Sequence, residues 1–379
     1  MGVVPGPPSA DPGGKSRGRA LRLPLAVATQ TVEESAPNVL QRFRPGPVQL
    51  LSFIFVGLVA FWLLANLVDN PGHFAYLFLY GLTIGMVYAL IALGYSLVYG
   101  ILELINFAHG DVFMLGAMMT VSAVAWFGLQ GGDPMGTLLP AILGMLAISC
   151  AFCGLMNITI ETIAYRPLRG APRLAPLITA IGVSFILQTV GLVWKGPAPV
   201  SLPDNILPRG SIFSVGEGDF SWDQLIVFAV TIPTLIFLVY LVQRTKPGKA
   251  MRAVAQDKDA AAMMGIDVNR TISFTFLVAG LLAGVAGVLY ALFVTNVQFD
   301  TGFRIGLFAF TAAVLGGIGN LPGAVLGAII IGLVENFNDG LTRFTPGSDW
   351  KTTLIFVILI LILVFRPEGL LGERTPEGG

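Results

Sequence analysis

The chain has 379 residues, 55% of them apolar, and only 12% are Asp, Glu, Lys or Arg; soluble globular chains carry about 25% charged residues. So small a polar complement excludes a water-soluble globule of this length, whereas a surface that faces lipid must itself be apolar. The formal net charge of zero points to no nucleic-acid partner, and the 46 glycines suit closely packed transmembrane helices.

Residues 1–46 are rich in Pro, Gly and charge, with Lys15, Arg17, Arg19, Arg22, Arg42 and Arg44 among them, and they read as a disordered cytoplasmic tail. The apolar piece 23–28 is interrupted by Pro24 and is too short for a signal peptide. Gly14-Lys15-Ser16 ends like a P-loop, but Ser9 stands where that motif needs Gly. Apolar runs then follow at 48–68, 74–99, 112–129, 138–163, 174–194, 223–242, 272–294, 304–317, 322–337 and 352–365. A hydrocarbon core takes about 20 apolar residues per helix, so the eighth and ninth runs are short. The expectation is an all-α, polytopic transmembrane helix bundle over 47–372, with eight to ten spans, some short or broken, and a cytoplasmic tail at 373–379. Cys150 and Cys153 lie three apart inside an apolar run with no His nearby, which favours packing thiols over a redox or metal pair.

Charge placement orients the spans, because cytoplasmic loops carry the excess of Lys and Arg. Arg166, Arg169 and Arg173 follow the fourth run, six cations from Arg244 to Arg270 follow the sixth, and Arg366 follows the last. All of these fall inside if ten spans are counted from an internal N-terminus. Residues 195–222 then form an extracytoplasmic flap and 243–270 a cytoplasmic loop. Within the latter, a helical period sets Ala250, Ala253, Val254, Ala261 and Met264 on one face and Arg252, Gln256 and Asp259 on the other. Asp257 interrupts the apolar face, Pro247-Gly248 starts the segment and Gly265 ends it. Such a helix covers its apolar face on headgroups, on its own bundle or on a partner protein, and the spacing leaves the three open.

Ionisable and amide side chains inside the membrane need partners or functions. Glu103, Asn106, His109 and Asp111 lie between the second and third runs. On a helix, Glu103 and Asn106, and likewise Asn106 and His109, would share a face, and Gly110 would let the chain break. This is either a broken segment lining a substrate path or a hydrogen-bonded cap at the inner headgroup level. Gly316, Gly317, Gly319, Asn320 and Pro322 mark a second break. A helix starting near Pro322 would aim its N-terminal dipole at the inner end of a pathway; a tight turn between two spans is the alternative. Glu161 is expected to pair with the basic inner loop, and Glu335 and Asn336 to lie near the outer face.

Four stretches resemble a known family. Leu104-Ile105-Asn106-Phe107-Ala108-His109-Gly110-Asp111 is similar to a signature of branched-chain amino acid permeases. So are Met251–Asp257 before Gly265-Ile266-Asp267-Val268, then Ala312–Ala324, then Phe365–Gly372. Asp259-Ala260-Ala261 with Gly265 also resembles the coupling segment of ABC-importer permeases, with Asp in place of Glu. The resemblance implies a non-catalytic permease subunit that translocates branched-chain amino acids, with urea and short-chain amides as the family's other substrates. It implies coupling through Arg252, Val254, Asp259, Ala260, Ala261, Met264 and Gly265. The implied partners are a sister permease, two cytoplasmic ATPase subunits and an extracytoplasmic binding protein, in a bacterial inner membrane with both termini cytoplasmic. No cofactor is expected on this chain, ATP and Mg residing on the ATPase subunits, since the sequence has no Walker motif. A stand-alone secondary transporter would need ionisable groups at mid-membrane, which are scarce. An intramembrane metalloenzyme using His109 and Asp111 would have to manage with two His in the whole chain, His73 and His109.

Overall fold

The structure, a computed structural model, describes residues 47–372 apart from 173, 204–205, 208–209, 344–346 and 367. The two expected tails, 1–46 and 373–379, lie outside the described residues. Residues Leu58–Gly379 form one compact unit; of the unit before it, Met1–Gly57, the helical residues 47–57 are described.

Each of the ten apolar runs is a helix. In chain order these are α1 (Pro47–Asp69), α2 (Pro71–Leu102), α3 (Ala108–Phe127), α4 (Met135–Ile160), α5 (Leu174–Lys195), α6 (Trp222–Arg244), α9 (Val268–Val294), α10 (Thr301–Gly316), α11 (Leu321–Gly340) and α12 (Lys351–Phe365). Two short helices, α7 (Lys246–Gln256) and α8 (Lys258–Met263), lie between α6 and α9. Among the described residues eight helices are long and apolar enough to cross a membrane, and two shorter apolar ones, at Gly57–Asp69 and Thr301–Gly316, join them. The ninth run corrects the expectation of a short span. Helix α11 continues to Gly340 and reaches 20 residues, because its polar end is satisfied: Asn336 Nδ2 donates to the Leu77 carbonyl at 2.5 Å and Asn338 Nδ2 to that of Gly347 at 2.7 Å.

Local chemistry sets the helix ends. Asn70 caps α2 by accepting from the His73 amide at 3.1 Å, with Pro71 following at the first helical position. Ser221 and Gln224 form a reciprocal capping box at the start of α6. The flap 195–222 carries a hairpin of β2 (Ser211–Val215) and β3 (Gly218–Ser221), while β1 (Val200–Ser201) pairs with β4 (Asn296–Val297). That second pairing ties the flap to the end of α9.

The packing has an internal two-fold logic. Helix α2 packs on α11 as α9 packs on α4, α10 packs on α2 as α3 packs on α9, and α12 follows α10 as α5 follows α3. The equivalent helices of the two halves, α2 and α9, α3 and α10, α4 and α11, and α5 and α12, are five spans apart in chain order, so they run in opposite directions, which is the pattern of an inverted repeat. Small residues make both seams. A Cβ on Gly85 would stand 2.9 Å from the Ile329 Cα, and one on Gly284 would stand 2.6 Å from the Cys150 Cα. Gly81 meets Gly332 in the first seam where Gly280 meets Gly154 in the second. With no hydrophobic drive between helices in lipid, such close backbone approach is what holds them. Cys150 and Cys153 are accordingly seam residues, their thiols directed to the carbonyls of Leu281 and Val112 at 3.4 Å. Helices α5, α6 and α12 lie outside this core and leave Ile178, Phe185, Ile236, Phe237, Ile360 and Phe365 exposed.

Candidate transport and coupling sites

The loop 243–270 folds as two helices, where a single interrupted one was expected. The Asp257 carboxylate accepts from the amides of Asp259 and Ala260, each at 2.9 Å, and so starts α8 as an N-cap. Helix α7 buries Gly248, Met251 and Val254 against α2, α6 and α9. Arg252 points outward, its guanidinium donating to the Gln243 carbonyl at 3.2 Å. In α8, Ala261 is buried, Ala260 half-buried and Asp259 exposed. Met264 departs from the expected apolar face. The break at Asp257 resets the helical phase, and Met264 is 84% exposed beside Met263 at 82%. Gly265 has φ +83° and nothing within 4 Å of where a Cβ would sit, so its role is the left-handed turn out of α8.

The first helix break lies earlier than expected. Helix α2 stops at Leu102 because Glu103 takes the left-handed conformation, φ 57°. Residues 103–106 are not helical, so Glu103 and Asn106 share no helix face, and Glu103 is exposed. Asn106 is buried and its Oδ1 accepts from the Tyr165 hydroxyl at 2.7 Å. Gly110 is not the break; it lies inside α3, where a Cβ would collide with the Gly302 carbonyl and the Gly306 Cα. His109 and Asp111 are fully buried. The His109 ring meets Tyr95 edge-on, centroids 5.0 Å apart, in space that Gly94 leaves open. Asp111 Oδ2 accepts from Ser184 at 2.5 Å, and Gln188 in turn donates to Ser184 at 3.2 Å. Among the described residues the two carry no metal cluster with a third ligand.

The second break is a turn held from both sides. Gly317 and Gly319 have φ of 105° and 91°, and a Cβ on Gly316 would strike the Gly323 carbonyl. Asn320 caps α11 by accepting from the Gly323 amide at 3.0 Å, with Pro322 in its first turn. Its amide donates to the Leu371 carbonyl at 2.6 Å, while the Leu370 and Leu371 amides donate to Leu315 and Gly316. The Gly319 amide reaches Ser96 of α2 at 2.8 Å. The two breaks therefore meet across α2: a small pocket there is lined by Tyr95, Tyr99, Asn106, Phe310 and Ile318. Glu161 pairs with the basic loop 166–173 as expected. Its carboxylate binds Arg169 and accepts from Ser273 at 2.7 Å, and burial pulls Arg169 below its ordinary pKa against the opposing pull of Glu161.

At the opposite end of the bundle, between α2, α9, α10, α11 and α12, lies a cavity of about 470 Å³. Tyr88 donates to Glu335 at 2.6 Å, and Lys351 binds Glu335 at 2.9 Å and Asp339 at 2.8 Å. Arg304 also lines it. Glu335 and Asn336 stand out in the sequence, whereas for Arg304, Asp339 and Lys351 the signal is their recurrence near the same end of successive spans, and Tyr88, in the middle of α2, carries none.

Residues 77–363 match the family described as branched-chain amino acid transport system, permease component. The chain belongs to this family. It is 39% identical over 309 residues to the high-affinity branched-chain amino acid transport system permease protein BraD of Pseudomonas aeruginosa, covering 80% of this chain and 98% of that protein. It is 37% identical over 302 residues to the permease LivH of Escherichia coli, covering 78% and 95% respectively. The probable permease LivH of Methanocaldococcus jannaschii is 29% identical, with 75% and 88% covered. A solved ABC transporter in an inward-facing conformation aligns over 76% of this chain and 86% of its own at 18% identity, with a TM-score of 0.43, too distant a likeness to argue from. As a member of this permease family, the chain is a multi-pass membrane transport subunit.

Proposed function

We propose that the chain is the membrane-spanning subunit of an ATP-driven importer of branched-chain amino acids. The observation that carries the reading is the family match over 77–363 joined to a pair of short helices outside the bundle, α7 and α8, that expose two methionines. ATP hydrolysis belongs to partner subunits in this reading, with ATP and Mg held there. The chain pairs with a sister permease and two ATPase subunits, and an extracytoplasmic binding protein delivers the amino acid. The basic loops 166–173 and 244–270 support a cytoplasmic side for α7 and α8, and the reading has both termini on that side of a bacterial inner membrane. Arg252, Asp259, Ala260, Met264 and Gly265 then form the surface on which an ATPase docks, while Val254 and Ala261 hold that surface to the bundle. Of the two readings left by the breaks, the hydrogen bonds favour structural turns at the inner end over a substrate-lined path.

The test is purification of the chain in mild detergent from its native cell, with mass spectrometry of what accompanies it. A second permease and cytoplasmic ATPases are expected, and the binding protein encoded with them identifies the substrate by its own ligand. A chain that comes out alone and moves solute down an ion gradient would overturn the reading.

A further inference from the structure

The coupling helices and the two breaks leave the outer cavity without a role, although its wall is chemically specific. One part is cationic: Arg304 is exposed and has no acidic partner among the described residues. Another is anionic, Glu335 and Asp339, both engaged by the single ammonium of Lys351. A third is apolar, with Ile84, Ile305 and Phe308 on the same wall. A free amino acid presents the complement of all three: a carboxylate, an ammonium and an aliphatic side chain. Guanidinium groups favour carboxylates through their paired donors. The cavity's volume falls within the roughly 300–1,000 Å³ usual for small-molecule sites, which combine apolar walls with a few placed polar groups. The charges also balance, two cations against two anions, so a net-neutral zwitterion enters without leaving an uncompensated charge near lipid.

We infer that this cavity is the receiving site for a zwitterionic aliphatic amino acid, which sets its carboxylate on Arg304, its ammonium on Glu335 and Asp339 in place of Lys351, and its side chain against Ile84, Ile305 and Phe308. The inference rests on the importer reading above and adds to it the residues that admit the substrate. Lys351 holds the acidic pair in the empty state, since a substrate ammonium offers the same hydrogen bonds as its own. The site takes amino acids with a free carboxylate and excludes the corresponding amines.

The experiment uses the complete importer in phosphatidylethanolamine–phosphatidylglycerol vesicles, with binding protein outside and ATP supplied to the ATPase subunits, and reads uptake of radiolabelled leucine per assembled complex. Arg304→Gln is expected to lower uptake by about tenfold, the loss that follows removal of a charge-assisted contact, and Arg304→Lys to recover part of it. Thr352 also lines the cavity, on the exposed side of α12. Thr352→Cys is expected to import leucine until a bulky, membrane-impermeant thiol reagent is added from outside, and the parent complex to withstand the same reagent. Leucine uptake by Arg304→Gln at the parent's rate would overturn the site, as would uptake by fully labelled Thr352→Cys at its unlabelled rate. Both outcomes leave the importer reading standing. A parent complex that hydrolyses ATP yet imports no branched-chain amino acid would instead overturn that reading, and the site with it.

Discussion

Replacing Met263 and Met264 together by Glu tests the docking role of α8 more cleanly than any change within its buried face. Both side chains project into solvent, 82% and 84% exposed, so their loss removes nothing from the protein's own core. Burying a Met side chain is worth about 2 kcal/mol, which sets an upper value near 4 kcal/mol for both. Partial burial at an interface and the ordering of flexible side chains reduce this, to roughly 3 kcal/mol, or about a hundredfold in docking affinity. Two buried carboxylates would add to the loss. Ala261→Glu is less informative, because Ala261 is 4% exposed and faces the bundle, so that variant disrupts packing as well as docking. The assay is co-purification of the ATPase subunits with the double variant, alongside uptake in cells. The variant should reach the membrane at the parent's level and melt at the parent's temperature, yet lose its ATPase subunits on washing and fail to import. Retention of the ATPases at parental stoichiometry, with parental uptake, would refute the docking assignment.

Two further outcomes probe the fold. Gly284→Leu should destabilise the protein by about 3 kcal/mol or more, because the added atoms meet the Cys150 backbone at 2.6–2.8 Å rather than a movable side chain. Gly182→Leu, with nothing within 4 Å of its Cβ position, should be neutral or slightly stabilising, and equal melting temperatures in detergent would contradict the seam. Glu161→Gln leaves the partly buried Arg169 charge without a carboxylate, facing only the neutral amides at 161 and Asn269, and should be destabilising by ~3 kcal/mol, at the low end for a broken buried pair. Adding Arg169→Met should restore much of that loss in thermal unfolding, and a double variant no more stable than Glu161→Gln would show that the pair does not act as a unit.

Much of the architecture was legible because membrane helices announce themselves by length and apolarity: the ten runs map onto ten helices, with ends shifted by a few residues. What escaped depended on partners remote in sequence. Asn338 and Asn336 look like the end of a span, yet α11 continues through them because Gly347 and Leu77 offer carbonyls. Helical periodicity set Met264 beside Ala261, but Asp257 caps a new helix and turns Met264 outward. Gly110 looked like a hinge; its neighbours in space, Gly302 and Gly306, make it a contact point instead. The cavity lined by Arg304 and Lys351 was the least legible part. Its charged groups come from three helices, and Lys351 gains meaning only when Glu335 and Asp339 face it.

The two-fold pairing also bears on how a push on α7 could reach the cavity at the other end of the bundle. The half that begins with α1 and α2 joins them directly at Asn70, whereas the other half inserts α7 and α8 between α6 and α9. These two short helices are therefore inserted in one half only, yet α7 touches both halves. Helix α7 buries Met251 and Val254 against α2 and α9, the two helices that pack on each other at the centre of the repeat. Those same helices carry Tyr80, Ile84 and Tyr88, and Tyr290 and Val294, on the wall of that cavity. Helix α2 has 32 residues, about 48 Å at 1.5 Å per residue, enough to connect both ends of the bundle without a joint. Gly81 and Gly85 are locked into the seam with α11, so it does not yield by bending there. A displacement of α7 is thus either absorbed by stripping Met251 and Val254 from their contacts or carried along α2 and α9 to the cavity. Close-packed interiors resist the first, because they lose contact energy with even small gaps.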